Sequence, residues 1–199
     1  MPNSPVCRAA IEALPHVARI LHGATVSLVE TWDAIRARRN VRAYEDRPIP
    51  PEHLERILEA ARRTPSSMNE QPWDFVVCTD RGTLGRLAET WRYAHHVAGS
   101  AATVVLVAPV ATDQDTRDWT FYDMGQATMS MMLIAADLGI GSSHAALDDQ
   151  ALARRILSLP QDHFCVGFVA FGYPADRPLR PIAHPDRRPM GEVVHRERW

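Results

Sequence analysis

Three guanidiniums fall within five residues at Arg38-Arg39-Asn40-Val41-Arg42. Like charges at that spacing repel unless an anion sits among them. A phosphate would serve, gripped by the bidentate fork of arginine, and Asn40 adds amide hydrogen bonding at the same place. The competing reading is a solvated helix end, where cations meet the negative pole of the helix dipole. A second stretch, Pro65-Ser66-Ser67-Met68-Asn69-Glu70-Gln71-Pro72-Trp73, offers hydroxyls, amides and backbone donors just ahead of a strand pattern. It suits the polar edge of a planar heterocycle, although ordinary turns use the same residues. A third, Gly139 to Asp149, holds Gly141, Ser142, Ser143, Ala145 and Ala146, small enough for a ligand to approach the backbone. A helix cap and connector would use them as well. Arg187-Arg188-Pro189 adds charge for a phosphate or belongs to a solvated tail.

Other chemistries lack their motifs. No G-x-G-x-x-G follows a strand, so no Rossmann dinucleotide site is expected. There is no P-loop and no H-E-x-x-H. His95-His96 has no second ligand pair at metal spacing; the pair reads as surface or helix-end histidines, and no metal is expected. Asp123 and Gln126 lie in an apolar helical stretch and are expected to bond internally. Cys7, Cys78 and Cys165 are far apart and odd in number, which argues for reduced thiols; Cys78 and Cys165 sit in apolar runs and read as core. The 199 residues carry 22 basic and 24 acidic side chains, a net charge of −2, which excludes a strongly basic footprint for nucleic acid. All the basic residues are arginine, so any phosphate site must use it. No run is long and apolar enough for a transmembrane helix, and charges interrupt any leader-like start; the chain reads as cytoplasmic, with no membrane partner.

The elements that would position these residues follow from periodicity. Residues 6–22 show a helical stripe (Val6, Ala10, Leu14, Val17, Leu21), with 23–29 as a short connection. Trp32 to Arg39 reads as a helix. Another opens at Pro50-Pro51 and stops before Thr64-Pro65. Strands are expected at 73–78, 102–108 and 164–171, the second buried on both faces. Helices are expected at 83–97, at 121–138 (apolar nearly all round, hence buried) and from Asp148 as cap to Leu157. Residues 173–199 form a proline- and arginine-rich tail. Strands separated by helices predict an α+β protein, a mixed α/β sandwich.

In this order the pieces resemble the nitroreductase-like family of flavoproteins. The match runs from Trp32-Asp33-Ala34-Ile35-Arg36-Ala37-Arg38-Arg39-Asn40-Val41-Arg42 through Ile49-Pro50, Ala60-Ala61-Arg62 and the loop 65–73. It continues with Asp123-Met124-Gly125-Gln126-Ala127 and Leu138-Gly139-Ile140-Gly141, then Gly172-Tyr173-Pro174 and Arg187-Arg188-Pro189. It covers about residues 30–199, leaving 1–28 as an N-terminal helical extension of a 29–199 FMN-binding domain. The resemblance implies a central sheet with a long buried helix and a homodimer binding FMN in its interface. Arg38, Arg39, Asn40 and Arg42 would hold the phosphate, ribityl chain and ring edge. Pro65, Ser66, Ser67, Met68, Asn69 and Gln71 would reach the flavin from the partner chain. Ser143, His144, Ala145 and Ala146 would lie beside its redox nitrogen, and Arg187 and Arg188 near the phosphate.

The activity so implied is transfer of electrons from NADH or NADPH to a small organic acceptor, nitroaromatic or quinone, in ping-pong fashion. FMN does the chemistry, and no catalytic side chain is required. Three alternatives stand beside it: fragmentation of reduced FMN to dimethylbenzimidazole, reductive dehalogenation, and non-enzymatic sequestration of FMN under a lid formed by the polar segment 110–120.

Overall fold

The computed structural model describes residues 31–199 in full and, before them, the backbone of two short strands. These are β1 (Arg19–Leu21) and β2 (Ala24–Val26), paired antiparallel. The helix expected over 6–22 therefore gives way to a strand at Arg19–Leu21, and the connection expected over 23–29 holds a strand at Ala24–Val26. The rest of that expected helix, and Cys7, lie outside the described residues.

A four-stranded antiparallel sheet organises the chain. Its order is β3 (Asp74–Cys78), β4 (Ala102–Pro109), β6 (His163–Gly172) and β5 (Gly141–Ala145). Helices cover both faces, which explains the unbroken apolar run of β4. Val104, Leu106 and Ala108 pack with Ile57 and Ala61 of α2 (Pro51–Arg62) and with Met124, Ala127, Met131 and Ala135 of α4 (Gln114–Asp137). Val105 and Val107 face the other way, toward Leu84 and Leu87 of α3 (Arg81–Ala88) and Ala153 of α5 (Gln150–Leu157). This is the three-layer α+β sandwich expected from the sequence.

Local rules set the ends of most elements. Asp80, Asp113 and Asp149 accept hydrogen bonds from the backbone N–H groups of Thr83, Thr116 and Leu152 and so cap α3, α4 and α5. The cap of α5 is thus one residue beyond Asp148. Gly139 ends α4 at φ +70°, where a side chain would be strained. Two helices differ from expectation. α4 begins seven residues before 121, so most of the segment 110–120 is helix and not a free lid. The helix expected over 83–97 stops at Ala88, where the Thr90 hydroxyl donates to the Leu87 carbonyl; the chain then turns through 91–94 into a 3-10 turn, His95–Gly99.

The small residues of β5 suit either a ligand's approach or a helix cap and connector in the sequence, and in the fold they form a strand. β5 is a strand because its ladder comes from β6 on one side and the segment 40–42 on the other. Val41 donates to the Ser142 carbonyl at 2.9 Å, and Asn40 bridges Ser142. Two glycines opposite each other in the β5–β6 register, Gly141 and Gly172, make this possible. A Cβ on Gly141 would stand 2.7–2.9 Å from Val41 side-chain atoms, and one on Gly172 would stand 2.7 Å from the Tyr44 ring. The arginine segment therefore rests on a seat cut by glycine. Gly141→Ala should destabilise the protein by about 1–3 kcal/mol through overpacking. A melting point roughly 2–10 °C lower in scanning calorimetry is expected. Gly85→Ala, where an added Cβ meets nothing within 4 Å, should melt no lower than the parent; equal melting of the two variants would remove the seat argument.

Candidate functional site

The segment after α1 (Thr31–Ala37) distributes its charged side chains to different places. Arg39 turns away from both neighbours. Its guanidinium bonds the Asp176 carboxylate at 2.7 Å and the Arg177 carbonyl at 2.8 Å, and this holds the Asp176 carboxyl below its usual range. One of the three clustered cations thus has its counter-anion within the fold. Arg38 and Arg42 do not: among the described residues, neither has a carboxylate at ion-pair distance.

Each of these two arginines lines a cavity. Arg38 borders one of about 500 Å³, walled mainly by Phe121, Met124, Met129 and Met132 of α4 and Phe168 of β6. Arg42 borders one of about 880 Å³, with Asn40, Trp91, Tyr93, His95 and His96. His144, Ala145 and Ala146 line both, so the edge of β5 is their common wall. One cavity is apolar with a cation at its border; the other is polar and aromatic. Close approach to the backbone recurs here, since a Cβ on Gly167 would stand 2.9 Å from the Ala145 carbonyl oxygen.

Two polar atoms beside the second cavity are buried without a partner, His96 Nε2 and Ser143 Oγ. Burial first, then the positive charge of Arg42 and, more weakly, that of His95, push the His96 pKa down, against smaller upward effects from the Tyr93 and Ser143 backbone. The resting imidazole is therefore held toward its neutral form. This corrects part of the expectation: His95 is exposed at the start of the 3-10 turn, but His96 beside it is buried and not a surface histidine. The thiols are silent, since burial pushes Cys78 and Cys165 up to about 11. Among the described residues no cluster of His, Cys, Asp and Glu suits a metal.

The loop Pro65–Gln71 lines neither cavity of its own chain. It is anchored on α4, where the buried Asp123 carboxylate accepts the Ser67 N–H at 3.0 Å and the Gln126 amide at 3.2 Å. Asp123 and Gln126 thus bond internally. Met68, Asn69 and Gln71 all have positive φ (49°, 59° and 52°), and Met68 is 90 % exposed. Such strain in non-glycine residues persists only where the surroundings hold it, and it gathers at functional segments. Arg188 bonds Glu192 within α6 (Met190–Val193) and its approach, and Arg187 bonds the Asp186 carbonyl. Neither lines the two cavities.

The sequence had singled out Arg38, Asn40, Arg42, His144, Ala145 and Ala146, and the fold brings these together. It had not singled out Trp91, Tyr93 and His96, which join them because the turn after α3 folds back toward β5. The Thr90 carbonyl accepts the N–H groups of Asp148 and Asp149 and ties that turn to the end of the β5 region. The signal the sequence holds for Trp91, Tyr93 and His96 is the aromatic–histidine run W-R-Y-A-H-H that follows α3.

The family model of the nitroreductase family matches residues 35–92 and 83–173, and the chain belongs to that family. A protein of Archaeoglobus fulgidus, provisionally named an NADH dehydrogenase/NAD(P)H nitroreductase, is 32 % identical over 85 % of this chain and 99 % of its own. The FMN reductase (NAD(P)H) of Bacillus subtilis is 26 % identical over 85 % of this chain and 74 % of its own. The FMN-dependent nitroreductase structure from Clostridium difficile R20291 shares the fold, with a TM-score of 0.73 over 84 % of this chain and 99 % of that one at 23 % identity.

Proposed function

We propose that the protein is an FMN-dependent oxidoreductase carrying electrons from NADH or NADPH to a small organic acceptor of nitroaromatic or quinone type. The observation that carries this is the pair of guanidiniums, Arg38 and Arg42, facing two cavities on either side of one strand edge with no acid of their own. The named activities of the Bacillus and Archaeoglobus relatives support it.

The residues present fit the cofactor. The ring system of FMN has an apolar dimethylbenzene end and a polar pyrimidine end, and the two cavities flanking residues 144–146 have that same division. The small side chains of Ala145 and Ala146 let a ring lie close to the β5 backbone. The unpartnered His96 Nε2 awaits a polar edge. Arg38 serves the phosphate and ribityl side together with Arg187 and Arg188, and Asn40 adds an amide. Arg39, tied to Asp176, stiffens the segment that presents its neighbours. When bound, FMN would supply the hydride and electron transfer. The chain orients the ring, supplies positive charge near the edge that becomes electron-rich, and leaves one face open to donor and acceptor in turn. That gives a ping-pong cycle without an obligatory side-chain acid. The strained loop with Pro65, Ser66, Ser67, Met68, Asn69 and Gln71 reaches the flavin of a partner chain in a homodimer.

The test is the absorbance spectrum of the purified protein before and after NADPH under anaerobic conditions. A released chromophore identified as FMN, bleached by NADPH or NADH and restored by a quinone or nitroaromatic, is expected. A chain starting at Val29 should behave alike, since every proposed contact follows residue 28. FAD, no flavin after reconstitution, or a flavin that neither nicotinamide reduces would defeat the proposal.

A further inference from the structure

We infer that His96 faces the pyrimidine edge of the flavin and takes up one proton when the flavin is reduced. This rests on the FMN reading above and assigns a role to a residue that reading does not require. His96 is 9 % exposed, yet it lines the cavity that holds Arg42 and Asn40, and its Nε2 has no partner. A buried imidazole nitrogen without a hydrogen bond is rare and calls for an explanation. The titratable and charged groups around it are Arg42, His95, Tyr93 and His144. None of them is a carboxylate, and burial and then Arg42 outweigh the Tyr93 and Ser143 backbone groups that favour the charged ring.

The two polar ends of FMN make different demands. A phosphate is always anionic and needs a permanent cation, which Arg38 is. The pyrimidine edge is neutral in the oxidised ring and gains negative charge when a hydride arrives. It suits a group whose charge can follow, and histidine alone has an ordinary pKa near enough to neutrality to do so. In the reductive half, the nicotinamide loses a hydride, two electrons with one hydrogen nucleus, and becomes NAD(P)⁺. His96 takes one proton from solvent and holds it against the new negative charge. In the oxidative half the electrons pass to the quinone or nitro acceptor, and His96 gives its proton back to solvent or product. The site thus gains two protons per two electrons, one within the hydride and one on His96. Burial, and then the neighbouring charge of Arg42, hold the imidazole toward its neutral form until that charge appears.

The experiment is the pH dependence of the flavin midpoint potential, read spectroelectrochemically for the flavin-loaded parent, His96→Gln and His95→Gln. Glutamine keeps hydrogen bonding and removes titration. Between about pH 6 and 8, where histidine titrates, the parent should take up about two protons per two electrons, His96→Gln about one, and His95→Gln as many as the parent. NMR of the parent's histidine rings should show His96 neutral in the oxidised protein and charged after reduction, which needs no variant to fold. Identical slopes for parent and His96→Gln, or a His96 ring that stays neutral on reduction, would overturn the inference and leave the FMN reading standing. A parent that binds no FMN at any pH would overturn both.

Discussion

Arg42→Ala is expected to weaken FMN binding ten- to a hundredfold while leaving the fold intact. Arg42 lines the polar cavity and, among the described residues, has no carboxylate partner. A charge-assisted hydrogen bond contributes roughly 1.5–3 kcal/mol, and each 1.4 kcal/mol is about tenfold in affinity. Being exposed, it contributes little packing, so the melting temperature of the flavin-free protein should hardly move. Arg38→Ala should weaken binding to a similar degree from the other cavity. Arginine to lysine at either position should restore only part of the loss, because an ammonium lacks the bidentate fork. Arg39→Ala is the informative contrast: it breaks the ion pair with Asp176, so its first effect falls on stability and is small, because the pair is partly exposed. Fluorescence titration of the flavin-free protein with FMN at fixed salt reads all of these. Parent-like affinity in both Arg38→Ala and Arg42→Ala would return the cluster to a solvated helix end.

The second large effect concerns assembly. A lone chain leaves Trp119, Phe121, Tyr122 and Met129 of α4 between 40 and 61 % exposed, and Trp32 of α1 65 % exposed. α1 and α4 pack on each other, and Met68 projects from the loop anchored on α4. That much exposed apolar surface on adjoining elements marks an interface. We expect an obligate homodimer burying about 2,000 Å² or more, with each loop 65–71 laid across to the other chain's flavin. Trp119 and Tyr122 meet edge to face, with ring centroids 5.7 Å apart; aromatic pairs of this kind form the anchors of interfaces. Tyr122→Ala should weaken the dimer about thirtyfold, the equivalent of about 2 kcal/mol. Flavin should be lost in step with dissociation, because half of each site leaves with the partner. Sedimentation equilibrium with flavin absorbance as the second channel follows both. A stable yellow monomer of the parent at nanomolar concentration would refute the dimer and the crossing loop together.

What the sequence determined by itself was whatever depends on neighbours along the chain. Pro51 and the Thr64-Pro65 step bound α2, because proline fits a first turn and forbids a helical residue before it. The long apolar stretch of α4 announced burial, and the unbroken apolar run of β4 announced helices on both faces. The arginine cluster and the small residues after Gly139 could be read from neighbours alone as a ligand site, or as a solvated helix end and a connector. Only the tertiary structure decided the rest. It extended α4 back to Gln114, where a polar turn with no apolar stripe is held by the Asp113 cap. It made a strand of Gly141–Ala145, whose residues favour none, because β6 and Val41 supply its ladder. It assigned Arg39 to Asp176, 137 residues away, and left Arg38 and Arg42 without a carboxylate partner among the described residues. It also buried His96 beside Arg42, by folding a turn back against a sheet edge. Propensity and periodicity act over a few residues. Which charge finds a partner, and which polar atom is left without one, is settled by contacts between segments far apart in the chain.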